Sequence, residues 1–139
     1  MISFLKLTSM LQKMLLICLL TFVISIANAQ QLDCYKFKEG KFRINDARAG
    51  GVIIAERKGD YQTESMEALK AIVRFKITWL NDCSYMLALD KVLRNENKVS
   101  FPNNLTVNVM IITIDANGYT QQTTSSITNG SYRCAVTKL

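Results

Sequence analysis

Apolar and polar residues alternate with period two along much of this chain. In Ala71-Ile72-Val73-Arg74-Phe75-Lys76-Ile77-Thr78-Trp79 every odd position is apolar, and from Arg74 onward every even one is polar. A helix would return apolar residues three and four apart, so the stretch reads as a half-buried strand. Cys83, Tyr85, Leu87 and Leu89 form a second stripe. Leu105, Val107, Val109 and Ile111 form a third, with Met110, Ile112 and Ile114 making the opposite face partly apolar. Lys58-Gly59-Asp60, Ala116-Asn117-Gly118 and Asn129-Gly130 punctuate the runs as hairpin signals, and Asn-Gly suits the type I′ turn that matches strand twist. Arg94 to Asn104, holding the only proline at Pro102, reads as the one long loop. The pattern leaves room for a short helical turn over Ala88 to Asn95. It predicts an all-β fold, an antiparallel meander of about six to eight strands curled into a partial or closed barrel.

Register follows from matching the stripes. A two-residue Asn81-Asp82 loop would set Trp79 against Ser84. A three-residue loop, Asn81 to Cys83, pairs Trp79 with Tyr85, Ile77 with Leu87 and Phe75 with Leu89. A slip of one residue turns every side chain to the other face, so the apolar match favours the odd loop. A two-residue Gly59-Asp60 loop pairs Arg57 with Gln62 and Ala55 with Glu64. Arg57, Gln62 and Glu64 then share a face and form the candidate polar binding surface. The competing account is a cross-strand ion pair on a wet face, which is worth little. Trp79 and Tyr85 are a candidate aromatic contact for a ligand, with a core pair as the alternative.

The first residues have a different character. Lys6 and Lys13 precede an uncharged run from Met14 to Ile26, and Ala27-Asn28-Ala29 is a small-residue cleavage signal. Residues 1–29 therefore read as a secretory signal peptide. The apolar run falls short of the ~20 residues that a membrane anchor needs. Lipidation at Cys18 would want a small residue where Ile17 stands. Cleavage after Ala29 leaves residues 30–139 as a single β domain, and losing Lys6 and Lys13 lowers the net charge from +6 to +4. The expected location is periplasmic or secreted, with membrane contact only during export.

Composition then removes several chemistries. The chain of 139 residues has no His, which removes the commonest general base and the commonest metal ligand. Export leaves Cys34, Cys83 and Cys134, and an oxidising compartment makes one disulfide plus one spare thiol the default. A Cys34–Cys83 bridge would close a loop of about 50 residues and contribute on the order of 4 kcal/mol. The cysteines form no C-x-x-C pair suited to zinc. Acidic residues are scattered singly, with no paired-carboxylate motif, and no Gly-rich phosphate loop is present. Lys36, Lys38, Lys41 and Arg43, interleaved with Phe37 and Phe42, have the look of a basic-aromatic strand that binds nucleic acid. An exported protein meets little nucleic acid, and a solvated edge has the same composition. Asn104-Leu105-Thr106 and Asn129-Gly130-Ser131 match the glycosylation triplet, which matters only in a eukaryotic secretory pathway. No catalytic residue, cofactor or metal is expected.

The spacing Cys34-x-x-Phe37-x-x-Gly40-x-Phe42, then Arg57 with Gln62-x-Glu64, then Phe75-x-Ile77-x-Trp79-x-x-Asp82-Cys83-x-Tyr85-x-Leu87 resembles a group of small exported proteins of Bacteroidetes-type bacteria. The resemblance covers about Cys34 to Leu87 and is loose beyond Asn95. It implies a compact β-protein in which Cys34 and Cys83 are bridged, and it implies no activity. The label "DNA topoisomerase IV" sometimes attached to that group needs an ATP site, an acidic metal cluster and a cleavage domain, more than a single domain of this size holds. The expected function is a non-enzymatic envelope or secreted binding module for a small ligand or a partner protein. The alternative is an inhibitor or accessory subunit that docks an edge strand or loop on another envelope protein. A small hydrolase built on Asp, Glu, Lys or Tyr is the third class.

Overall fold

The structure, a computed structural model, describes residues 32–139. The expected signal peptide, Cys18 and the expected cleavage position lie outside the described residues. Eight strands follow one another as a meander: β1 Gly40–Asp46, β2 Gly51–Lys58, β3 Tyr61–Met66, β4 Ala71–Asn81, β5 Ser84–Asn95, β6 Thr106–Ile114, β7 Gly118–Ser125 and β8 Thr128–Lys138. Each pairs antiparallel with the next, and β8 returns to β1 to close a barrel. The closing seam is short, joining Phe42, Arg43 and Ile44 to Lys138, Thr137 and Val136.

Alternation produces the barrel's two surfaces. Phe42, Ile44, Ile53, Ala55, Val73, Phe75, Ile77, Tyr85, Leu87, Val109 and Ile111 point inward and are buried. Lys41, Arg43, Glu56, Lys58 and Lys76 stand on the exposed outer wall. Apolar inside and charged outside is the reverse of a barrel whose outer band faces lipid. An eight-stranded barrel is just wide enough for side chains to fill or for one small ligand to enter.

The two ends of the barrel differ. At one, a 3-10 turn at Tyr35–Phe37 lies across the opening and inserts Phe37, whose ring sits 4.7 Å from that of Tyr119. The Cys34–Cys83 disulfide ties this turn to the β4–β5 hairpin, with the Cα atoms 5.2 Å apart. Cys134 is free and buried. At the other end lie the longer connections, including residues 96–105 between β5 and β6.

Several local expectations are corrected. No helical turn forms at Ala88 to Asn95, because β5 continues through Asn95 and pairs with β4 as far as Ala71. Trp79 does pair with Tyr85, Ile77 with Leu87 and Phe75 with Leu89. The loop nevertheless holds only Asp82 and Cys83, since Asn81 pairs with Ser84 and the odd residue is absorbed by a bulge at Leu80. Asn129-Gly130 is no hairpin turn. It forms the bulged part of β8, with Gly130 at φ +91°, while the turn falls at Ser126-Ile127. At Asn117-Gly118 the glycine is required by close approach, as a Cβ there would collide with the Val136 carbonyl. The basic-aromatic run is not one strand. Lys36 and Phe37 belong to the 3-10 turn, Lys41 and Arg43 face outward on β1, and both phenylalanines are buried.

Candidate functional site

The β2–β3 hairpin turns at Gly59-Asp60, which sets Arg57 opposite Gln62 and Ala55 opposite Glu64. Arg57 shares the inward parity of Ile53 and Ala55, so its side chain enters the barrel and is only 2% exposed. A buried guanidinium persists when its donors are met. Arg57 Nε donates to Gln62 Oε1 at 2.6 Å, and Nη1 to the Phe37 carbonyl at 2.8 Å. Nη2 donates to the hydroxyl of Tyr119 at 2.7 Å and to that of Tyr85. The guanidinium also lies 4.5 Å from the Phe42 ring centre and 4.7 Å from that of Tyr85. Burial works against its charge, yet the Tyr85 and Tyr119 oxygens and Glu64 raise its pKa. Burial pushes the Tyr85 phenol well up, so it is a neutral hydroxyl.

Gln62 carries the network toward the barrel's other half. Its Nε2 donates to Glu64 Oε1 at 2.5 Å. Glu64 keeps some surface, but that surface faces an internal cavity of about 300 Å³ and not the outer wall. Burial raises the Glu64 pKa, partly offset by Gln62 and Arg57. The cavity occupies the half of the barrel away from the Phe37 plug. Its wall includes Ile44, Ile53, Met66, Phe75, Leu87 and Val107, and its polar lining includes Gln62, Glu64, Tyr85, Gln121 and Thr123. Gln121 is 5% exposed, and its Oε1 has no hydrogen-bond partner. Most buried acceptors are paired, and this one is an exception, enclosed with essentially no surface open to the cavity.

The rim adds an ion pair. Arg48 Nη2 meets Asp46 Oδ2 at 2.5 Å and its Nε meets Oδ1 at 2.9 Å. The same guanidinium stacks 3.9 Å above the Tyr132 ring and reaches Thr123 Oγ1 at 3.3 Å. Arg48 thereby bridges from the β1–β2 connection to β7 and β8, beyond the three paired positions of the seam. Burial pushes Asp46 up, but the bonds from Arg48 outweigh it and hold the carboxyl below its usual range. Burial, with Asp46 nearby, raises the Cys134 thiol, so it stays in its unreactive form.

The structure thus brings Arg57, Gln62 and Glu64 together as one inward-facing chain of bonds. Trp79 and Tyr85 are in contact, with ring centres 4.6 Å apart. They play separate parts: Tyr85 is buried beside Arg57, and half-buried Trp79 sits at the sealed end with Lys38 Nζ 5.3 Å above its ring. Sequence reasoning missed Tyr119, Gln121 and Thr123. The signal was parity, since all three occupy alternate positions of one strand and therefore share a face. Asp46 and Arg48 carried no comparable signal, because a bend at Ala47–Ala49 places them. No group of three or more potential metal ligands occurs among the described residues. No family model, no curated protein and no solved structure matches this chain.

Proposed function

We propose that this protein is a non-enzymatic binding module that holds one small, mostly apolar ligand in the open half of its barrel. The observation that carries this reading is the internal cavity of about 300 Å³, walled mostly by apolar side chains with Gln62, Glu64, Gln121 and Thr123 among its polar groups. Its size lies at the lower end of ligand pockets, and an apolar wall with a few convergent polar groups is their usual make-up. The titratable groups nearby are poorly set for catalysis: Asp46 is neutralised by Arg48, and Cys134 is held protonated. The sheet closes on itself through β1 and β8, so no strand has a wholly free edge for an edge-docking inhibitor, which favours the ligand over the docking alternative. The disulfide suits an oxidising compartment, and the reading places the mature chain, from Gln30, in the periplasm or outside the cell.

The test is fluorescence titration with N-phenyl-1-naphthylamine, a small apolar reporter. The protein is expected to take up one equivalent, and Val107→Trp, which fills the cavity from its wall, to weaken uptake about tenfold or more while the melting temperature holds. Absence of uptake, or equal uptake by the variant, would overturn the proposal.

A further inference from the structure

The cavity wall is not uniform around the barrel. In a closed ring of eight strands, β3 lies across from β7, and β1 and β2 lie across from β5 and β6. The residues of β7 that line the cavity are all polar: Gln121, Thr123 and Ser125. Across from them β3 contributes Gln62 and Glu64, with Met66 beyond toward the mouth. The walls in between are mostly apolar, Ile44 and Ile53 on one side and Leu87, Val107 and Val109 on the other. Their two polar groups are already engaged, Asp46 at the rim by Arg48 and Tyr85 at the floor by Arg57. Ser100 and Thr128 add hydroxyls at the mouth. Gln62 is bonded to Arg57 and Glu64, and the Gln121 oxygen is enclosed. Glu64 and Ser125, both half-buried, therefore remain on opposite walls. Gln62 takes one Glu64 oxygen and leaves the other without a described partner. The hydroxyls of Thr123 and Ser125 accept from Arg48 and from the Ile127 amide, and neither donates to a described residue.

We infer that the cavity is a slot for a flat aromatic ligand with hydrogen-bonding groups on opposite edges, a two-ring diphenol being the simplest case. Its faces lie against the apolar walls, between Ile53 on one side and Leu87 and Val107 on the other. One phenol hydroxyl donates to the free Glu64 oxygen on β3, a charge-assisted bond in a water-poor setting. The other exchanges bonds with the hydroxyls of β7, which can both donate and accept. A plain alkyl chain would strip water from both polar walls and return no bonds, which is costly. The inference rests on the ligand reading of the barrel and goes past it by assigning the shape and edge chemistry of the ligand.

Fluorescence titration with naphthalene, 2,6-dihydroxynaphthalene and 2,7-dihydroxynaphthalene tests it. The two diols share size and composition, but the hydroxyls leave opposite edges in the 2,6 isomer and one edge in the 2,7 isomer. The 2,6 isomer is expected to bind about fivefold more tightly than the 2,7 isomer. It is also expected to match or exceed naphthalene, whereas in a purely apolar cavity each added hydroxyl weakens binding. Glu64→Met is expected to cost the 2,6 isomer about tenfold and Ser125→Ala about threefold, with naphthalene held within about twofold. Melting curves check that each variant folds, and the isomer comparison needs only the unaltered protein. Isomers within about twofold of each other, the reverse order, or both diols weaker than naphthalene would overturn the inference, although the cavity would still hold a ligand. So would failure of all three probes while N-phenyl-1-naphthylamine binds. If that reporter failed as well, the ligand reading itself would fall.

Discussion

At the sealed end, Arg57 directs its bonds to four protein acceptors, whereas at the open end the Gln121 oxygen has none. Both groups point into the same barrel from strands of the same alternation. The sealed end is filled by Phe37, Phe42, Tyr85 and Tyr119 packed around the guanidinium, and a disulfide fastens its cover. The open half keeps a cavity, a longer connection and a rim held by one ion pair. One half thus has its buried polarity answered internally and serves stability. The other leaves the Gln121 oxygen unanswered and is packed less completely, around a cavity.

Three measurements sharpen the contrast, beginning with the largest expected effect. Arg57→Met leaves the Phe37 carbonyl, Gln62 Oε1 and two phenol hydroxyls without their donor, and urea unfolding should record a loss of about 3–5 kcal/mol. A loss under about 1 kcal/mol would mean that the sealed end does not support the fold. Replacing both Cys34 and Cys83 by Ser frees the cover and should cost about 2–4 kcal/mol, chiefly through the unfolded chain. Ligand uptake at the opposite end should survive in folded protein, and its loss would show that the two halves are coupled. The smallest effect belongs to Glu64. Its carboxyl is raised in the folded state, so between its ordinary value and the raised one the folded chain keeps a proton that the unfolded chain has released. Wild-type stability from this group therefore falls as pH rises through that window. Glu64→Gln lacks the penalty, so its melting temperature relative to wild type should improve as pH rises above the ordinary carboxylate range. Asp46, shifted downward, acts in the opposite sense in both proteins and cancels in the comparison. A difference that stays flat with pH would place Glu64 in open solvent.

Local features were legible in the sequence, and long-range ones were not. The Arg57–Gln62 and Trp79–Tyr85 pairings follow from turn length and matching stripes, both properties of neighbouring strands. Even there the count misled at Asn81 to Cys83, because a bulge and a two-residue turn give the same pairing as a longer loop. Whether Arg57, Gln62 and Glu64 face water or the interior depends on β8 reaching β1, a contact between the two ends of the domain that no local pattern encodes. Asn-Gly at Asn129-Gly130 fits either a turn or a bulge, since both need a positive φ, and competing pairings decide between them. Arg57 itself gave a usable hint: a charged residue in phase with Ile53 and Ala55 is either misplaced or needed inside, and here it is needed.

The 3-10 turn and the last strand share one more property. Lys138 Nζ donates to the Lys36 carbonyl, and the Leu139 amide to the Lys41 carbonyl. Both ends of the described chain are therefore gathered at the plugged pole. Anything linked to either terminus hangs from the base of the cup, so a fusion partner or a surface tether would leave its mouth directed outward.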